Sequence, residues 1–175
     1  KVIAGVTDPV VKHYWQVQFV GFPERLLPEI TSPVLNKVGS FLANDAVRNI
    51  VGQKRSAINF RDLMDKKRIL IANLSKGKIG ESGANLLGSL LIAKLQFAAM
   101  ARADTPEDRR QDFNLFVDEF QNFSTESFAG ILSEARKYRL NLIMAHQYIE
   151  QLNDEVRAAV FGNVGTMIAF RVGAT

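Results

Sequence analysis

Phe113-Asn114-Leu115-Phe116-Val117-Asp118-Glu119 is the stretch that decides how this chain folds. An apolar run, broken only by Asn114, leads straight into two adjacent carboxylates. A short, nearly continuous apolar run of this kind is the pattern of a strand buried on both faces, as in a parallel sheet. In open α/β sheets, ligands bind beyond the carboxyl ends of the strands. Asp118 and Glu119 therefore face the ligand side, with a dry strand beneath them.

The flanking sequence alternates in the same way. Downstream, Ser127–Tyr138 reads as a helix with Phe128, Ile131, Leu132 and Ala135 on one face. Leu140–Ala145 reads as a strand, Asp154–Phe161 as a short helix, and Thr166–Val172 as a further strand. Upstream, the polar loop Asp104–Asp112 follows a helix over Asn85–Ala101, whose Leu86, Leu87, Leu90, Leu91, Leu95 and Ala98 recur at helical spacing. A loop rich in Gly, Lys and Ser (Ser75–Gly83) precedes that helix, and the apolar run Arg68–Leu74 before the loop reads as another strand. Strands alternating with helices imply a parallel sheet covered on both faces and built by right-handed crossovers.

Before residue 60 the pattern is different. Pro9, Pro23, Pro28 and Pro33 punctuate helix-like stretches at Val10–Phe19 and Val34–Leu42. Ser32-Pro33 has the form of an N-cap followed by a first-turn proline, and Asn44-Asp45 reads as a cap for Ala46–Val51. Tyr14, Trp15 and Phe19 are expected to form the core of this part. The expected organisation is a mostly helical subdomain over 1–60 and an α/β domain over 61–175.

Composition bounds the chemistry. The 175 residues are 47% hydrophobic and 23% charged, which suits a globular chain with a real core. The absence of cysteine excludes disulfides and thiolate metal sites. His13 and His146 are isolated in sequence, which argues against a histidine-rich zinc site. A net charge of +4 permits a polyanionic partner without requiring one. No run approaches the ~18 apolar residues that span a bilayer. A chain that begins at Lys1 is expected to be a fragment of a longer one, so an upstream membrane anchor remains compatible with it.

Four constellations carry possible chemistry. In phosphoryl transfer, the first acid of a pair such as Asp118-Glu119 helps hold Mg²⁺, often through water, while the second orients or deprotonates the attacking water. The alternative is a solvated pair at a strand end. Gln147 ends the next strand through Leu142-Ile143-Met144-Ala145-His146-Gln147, where an amide can contact both a γ-phosphate and that water. The alternative is a loop-capping Gln. Arg136, in Glu134-Ala135-Arg136-Lys137-Tyr138-Arg139, lies at a helix C-terminus, where cations complement the dipole. It could also serve as an arginine finger toward a neighbouring subunit's γ-phosphate. The segment Lys54–Lys78 carries eight cations (Lys54, Arg55, Arg61, Lys66, Lys67, Arg68, Lys76 and Lys78) against Asp62 and Asp65. It could follow a phosphate backbone or be an ordinary solvated face. Lys66, Lys67, Lys76 and Lys78 are the nucleic-acid candidates, the last two on the tight loop around Gly77. No Gly-x-x-x-x-Gly-Lys-[Ser/Thr] occurs, so the chain lacks the usual β/γ-phosphate cradle.

Together these stretches resemble the conjugative coupling ATPases of type IV secretion, the TraG/TraD-like group within the HerA–FtsK class of DNA-pumping motors. The resemblance is carried by Asn49–Gln53, Ile69–Gly77, Leu115–Phe123, Glu134–Tyr138 and Ala145–Gln147. It implies an incomplete RecA-like P-loop NTPase core of mostly parallel sheet, preceded by part of an inserted all-helical domain. It implies ATP and Mg²⁺ as ligands, with Asp118 as the Mg²⁺-linked acid, Glu119 as the catalytic glutamate and Gln147 as the γ-phosphate sensor. Arg136 resembles a finger acting across a hexamer interface. DNA in a central channel, the type IV secretion machinery as partner, and an anchor outside this chain holding the parent at the cytoplasmic face of the inner membrane are also implied. Two rivals stand beside this expectation: a soluble HerA/FtsK-like DNA-processing motor, and a catalytically silent interaction module.

Overall fold

Several helices begin where a short polar side chain accepts hydrogen bonds from backbone N–H groups that the helix itself leaves free. Asp8 accepts from Val10 and Val11 at 2.8 and 3.1 Å, Asn44 from Val47 at 3.1 Å, Asn59 from Asp62 at 3.1 Å, and Asn153 from Val156 at 2.8 Å. The computed structural model describes residues 2–124 and 126–170, without the side chains of Ser40, Glu126 and Ser127. The chain divides into two units, 1–48 and 49–175. The composition change near residue 60 lies beyond that division.

The first unit holds α1 (Pro9–His13), which runs on as a π-helical turn over Tyr14–Gln18, and α2 (Leu27–Leu42). The Ser32-Pro33 signal does not start α2. That helix begins a turn earlier with Pro28 in its first turn, and Pro33 lies inside it. Pro28 satisfies the first-turn preference for a residue without an N–H, so the later signal is redundant. Trp15 and Phe19 meet at 4.7 Å between ring centroids, yet Tyr14 and Trp15 stay partly exposed, so this cluster is not a buried core. Asp45–Val51 forms α3, which crosses the unit boundary.

The second unit is built around α6 (Glu81–Met100). Within Glu81–Asp104 an 18-residue window reaches a mean hydropathy of 1.4, long and apolar enough by composition to cross a membrane, and 28% of that window is buried in the fold. Ile92, Leu95 and Ala99 are buried against Met64 from α4 (Phe60–Asp65), Val117 from β1 (Phe113–Val117) and Leu140 from β2 (Leu140–Met144). Phe128 and Ile131 from α7 (Glu126–Glu134), with Val156 and Val160 from α8 (Asp154–Asn163), complete the core. The helix expected over Ser127–Tyr138 is α7 followed by a 3₁₀ turn, Ala135–Tyr138.

β1 and β2 are parallel, in register from Phe113 with Leu140 to Val117 with Met144. They form the sheet among the described residues. The strand expected at Arg68–Leu74 is not there. This segment carries no assigned secondary structure and joins no ladder, and Ile69 and Ile71 are 90% and 87% exposed. An apolar run favours a strand, but a strand also needs a paired edge, and this run has none. Of the strand expected at Thr166–Val172, residues 166–170 carry no strand, and 171–172 lie outside the described residues.

Candidate functional site

The parallel register brings the carboxyl ends of β1 and β2 side by side. Ala145 N donates to Val117 O at 3.0 Å, and Phe120 N donates to Ala145 O at 3.1 Å. The chain leaving each strand is thus tied to the other, and Glu119 and Gln147 emerge at one end of the sheet.

Glu119 has a left-handed backbone, φ 51° and ψ 45°. That conformation costs an L-residue roughly 1–2 kcal/mol, so its surroundings must hold it. Asn122 does so twice, donating its backbone N–H at 3.0 Å and its side-chain amide at 3.1 Å to Glu119 O. Phe120 anchors the turn. It is 1% exposed, stacks on Phe128 at 5.9 Å and meets the edge of His146 at 5.1 Å.

The Glu119 carboxylate is held on both oxygens. Gln121 Nε2 donates to Oε2 at 2.5 Å, and Gln147 Nε2 donates to Oε1. An ionised carboxylate offers about four lone-pair positions, so two amide donors orient the group and leave acceptor capacity for a water. Asp118 is exposed beside it, with Oδ1 accepting from Glu119 N at 3.0 Å. Oδ2 is free of protein donors among the described residues.

A polar cavity of about 360 Å³ opens here, lined by Lys76, Glu119, Gln121, Asn122, Gln147 and Tyr148, among others. Lys76 belongs to this site. It sits on the short helix α5 (Lys76–Ile79), and its Nζ donates to Asn122 Oδ1 at 3.1 Å and Glu81 Oε1 at 3.0 Å. Gly80, at φ 73°, makes the bend between α5 and α6 that allows this approach. A larger groove of about 710 Å³ borders the cavity, between residues 70–76, α6 and β1, with Asp118 and Glu119 at its end.

The other candidates lie elsewhere. Arg136 is exposed on the turn that feeds into β2, and Arg139 O accepts from Phe113 N. It therefore lies at the amino end of the sheet, while the acid pair lies at the carboxyl end. The two are separated by a five-residue strand, roughly 13 Å at about 3.3 Å per step. Lys66 is paired to Asp62 at 2.6 Å and holds that carboxyl below its ordinary range. Lys67 and Lys78 are exposed. Among the described residues, no group of three or more His, Cys, Asp or Glu gathers as a metal cage.

Sequence reasoning missed Gln121 and Asn122 as site residues. The polar pair between Phe120 and Phe123 was a signal for them. Nothing in the sequence pointed to Lys76 as their neighbour.

Residues 112–175 match the family model described as the TraM recognition site of TraD and TraG. The match supports a conjugation coupling protein. It spans Asp118, Glu119, Arg136 and Gln147 and leaves Lys76 and the helical first unit outside. No curated protein and no solved structure matches the chain.

Proposed function

We propose that this chain carries the acid half of an ATP-hydrolysing site in a conjugative coupling protein, a motor of the RecA-like P-loop class that moves DNA. The observation that carries this is the double clamp of Gln147 and Gln121 on the Glu119 carboxylate at the carboxyl end of a parallel strand pair. Glu119 accepts the proton of the attacking water. Gln147 fixes the carboxylate and, with its remaining carbonyl oxygen, orients that water. Mg²⁺ would supply charge neutralisation for the phosphates. Mg²⁺ usually keeps several waters and binds through only one or two carboxylates, so the exposed Asp118 with its free Oδ2 fits it without a protein cage. The phosphate loop comes from residues outside these 175, and the parent works as a hexamer, anchored at the cytoplasmic face of the inner membrane.

Arg136 then serves the neighbouring subunit. On its own chain it lies across the sheet from Glu119, so a finger role requires the trans arrangement. In the full-length protein, Glu119→Gln should abolish ATP turnover while sparing nucleotide binding, read by steady-state hydrolysis and by titration with a fluorescent ATP analogue. Near-normal turnover by that variant would remove Glu119 from the mechanism.

The family match favours a second reading of the same segment, as a surface that recognises a TraM-like partner. The two are separable. If the segment is only a recognition module, Glu119→Gln leaves transfer of DNA between cells unchanged.

A further inference from the structure

Arg102 is the buried charged residue among the described residues, at 0% exposure. Removing a guanidinium from water costs several kcal/mol after relaxation, and a well-packed apolar side chain often serves stability as well or better. Its partners show what its burial achieves. Nη1 donates to Tyr138 O at 3.0 Å, Nη2 donates to Gln111 O, and Nε lies 3.1 Å from the Asp65 carboxylate. Burial lowers the affinity of this guanidinium for its proton, and Asp65 opposes that. Arg110 completes the arrangement. Its Nε donates to Thr105 O at 2.8 Å and Arg102 O at 3.1 Å, Nη1 donates to Lys137 O, and its guanidinium carbon lies 5.5 Å from the centre of the Tyr138 ring.

Two arginines thus hold the carbonyls of Lys137 and Tyr138, the two residues that follow Arg136. The turn is closed on the other side by Arg139 N donating to Arg136 O at 3.1 Å, with Arg139 left-handed at φ 55°. Arg136 itself is exposed. The backbone beneath it is fixed while its side chain faces outward.

We propose that Arg102 and Arg110 are positioning residues for Arg136, setting the turn from which it reaches the active site of a neighbouring subunit. This rests on the trans-finger role given to Arg136 above. Bidentate and stacked guanidinium contacts are those that Lys reproduces poorly, so Arg110→Lys should recover little of what Arg110→Ala loses.

The test is a double-mutant cycle on ATP hydrolysis by the full-length protein, using Arg136→Ala, Arg110→Ala and the double variant, each also mixed with Glu119→Gln subunits. Arg136→Ala should lower kcat by about 10³-fold or more. Arg110→Ala should lower kcat by about tenfold or more with KM for ATP unchanged, should cost less than about twofold in the Arg136→Ala background, and should regain activity in mixed rings. If the two losses multiply, Arg110 does not act through Arg136 and the proposal falls. If Arg136→Ala turns over normally, the finger role falls first and takes the proposal with it. Should Arg110→Ala fail to fold, Arg110→Lys is read in the same cycle, and multiplying losses there overturn the proposal equally.

Discussion

Gly88→Ala sets two known effects against each other on α6. In an ordinary helix interior the change is stabilising by about 1 kcal/mol, because Gly is the poorer helix former. At Gly88, however, an added Cβ would lie 2.3 Å from both Cδ1 and Cε1 of Phe123, and 3.1 Å from its Cγ. The ring must move by more than 1 Å to restore ordinary contact, and it rests against the core that holds Phe120. Overpacking of this kind costs typically about 1–3 kcal/mol. The clash with Phe123 outweighs the gain in helix propensity, for a net loss of roughly 0–2 kcal/mol and a central value near 1 kcal/mol. Urea unfolding followed by far-UV circular dichroism reads it as a midpoint lowered by about 0.3–1 M at unchanged slope, since m is roughly 1–3 kcal/mol/M for small proteins. Phe123→Leu supplies the control. It removes the ring edge, so its cost should be smaller in the Gly88→Ala background than alone, a coupling of at least about 0.5 kcal/mol. A Gly88→Ala variant about 1 kcal/mol more stable than the parent, with effects additive to Phe123→Leu, would refute the contact.

Asp104 gives a prediction in pH. Arg61 donates to both of its oxygens and holds its carboxyl below the ordinary carboxylate range. The folded state therefore protonates it later than the unfolded state does. The stability it contributes is full above the unfolded value near about 3.9 and is lost as pH falls through the folded value. The gap in urea midpoint between the parent and Asp104→Asn should be constant from neutral pH down to about pH 5 and close below about pH 4. A gap that persists unchanged at about pH 2.5 would remove the ion pair as its cause. The exposed Lys67 and Lys78 allow a test of the expected phosphate track. If they lie on a phosphate track, the double variant Lys67→Ala/Lys78→Ala should lower the slope of log K against log salt for duplex binding by up to about 2, near 0.9 per lost contact. A flat salt response in the parent would end the idea.

The strand pair and its attached acids are legible in the sequence because they depend on local pattern. Phe113–Val117 and Leu140–Met144 carry short apolar runs, and parallel pairing puts whatever ends those runs at the same edge, so Glu119 and Gln147 meet. Arg68–Leu74 has an equally apolar run, yet it forms no strand. Its outcome depends on a partner edge, a property of the neighbour and not of the run. Leu70, Ala72 and Leu74 line the groove along β1 without entering a ladder. The start of α2 is misleading for a related reason, since Pro28 and Pro33 offer competing first-turn signals and only one can be used. Lys76, a nucleic-acid candidate by sequence, is illegible as a neighbour of the acid pair, and Arg102 is illegible as a core residue. Their places follow from contacts with residues 46 and 36 positions away, Asn122 and Tyr138.

A left-handed backbone does not by itself single out Glu119, because Lys67 and Arg139 share it. What separates the three is where the side chain goes. Arg139 reaches Asp112 at 3.6 Å, and Lys67 extends into solvent at the end of α4. Either could be replaced by Gly, which adopts positive φ without steric cost. At Glu119 the same conformation points a carboxylate between two glutamine amides, in a cavity that also holds Lys76. A turn selected only for its backbone would gain from Gly there and would have no use for a carboxylate. Strain kept at a position whose side chain is oriented from two directions is the form in which backbone strain bears on chemistry. In the proposed motor the same logic applies at the opposite edge, where Arg102 and Arg110 fix a turn and leave Arg136 exposed. Each subunit then offers an oriented acid at one end of its sheet and an oriented cation at the other. A single chain cannot bring the two together, so hydrolysis would require the acid end of one subunit to face the cationic end of the next.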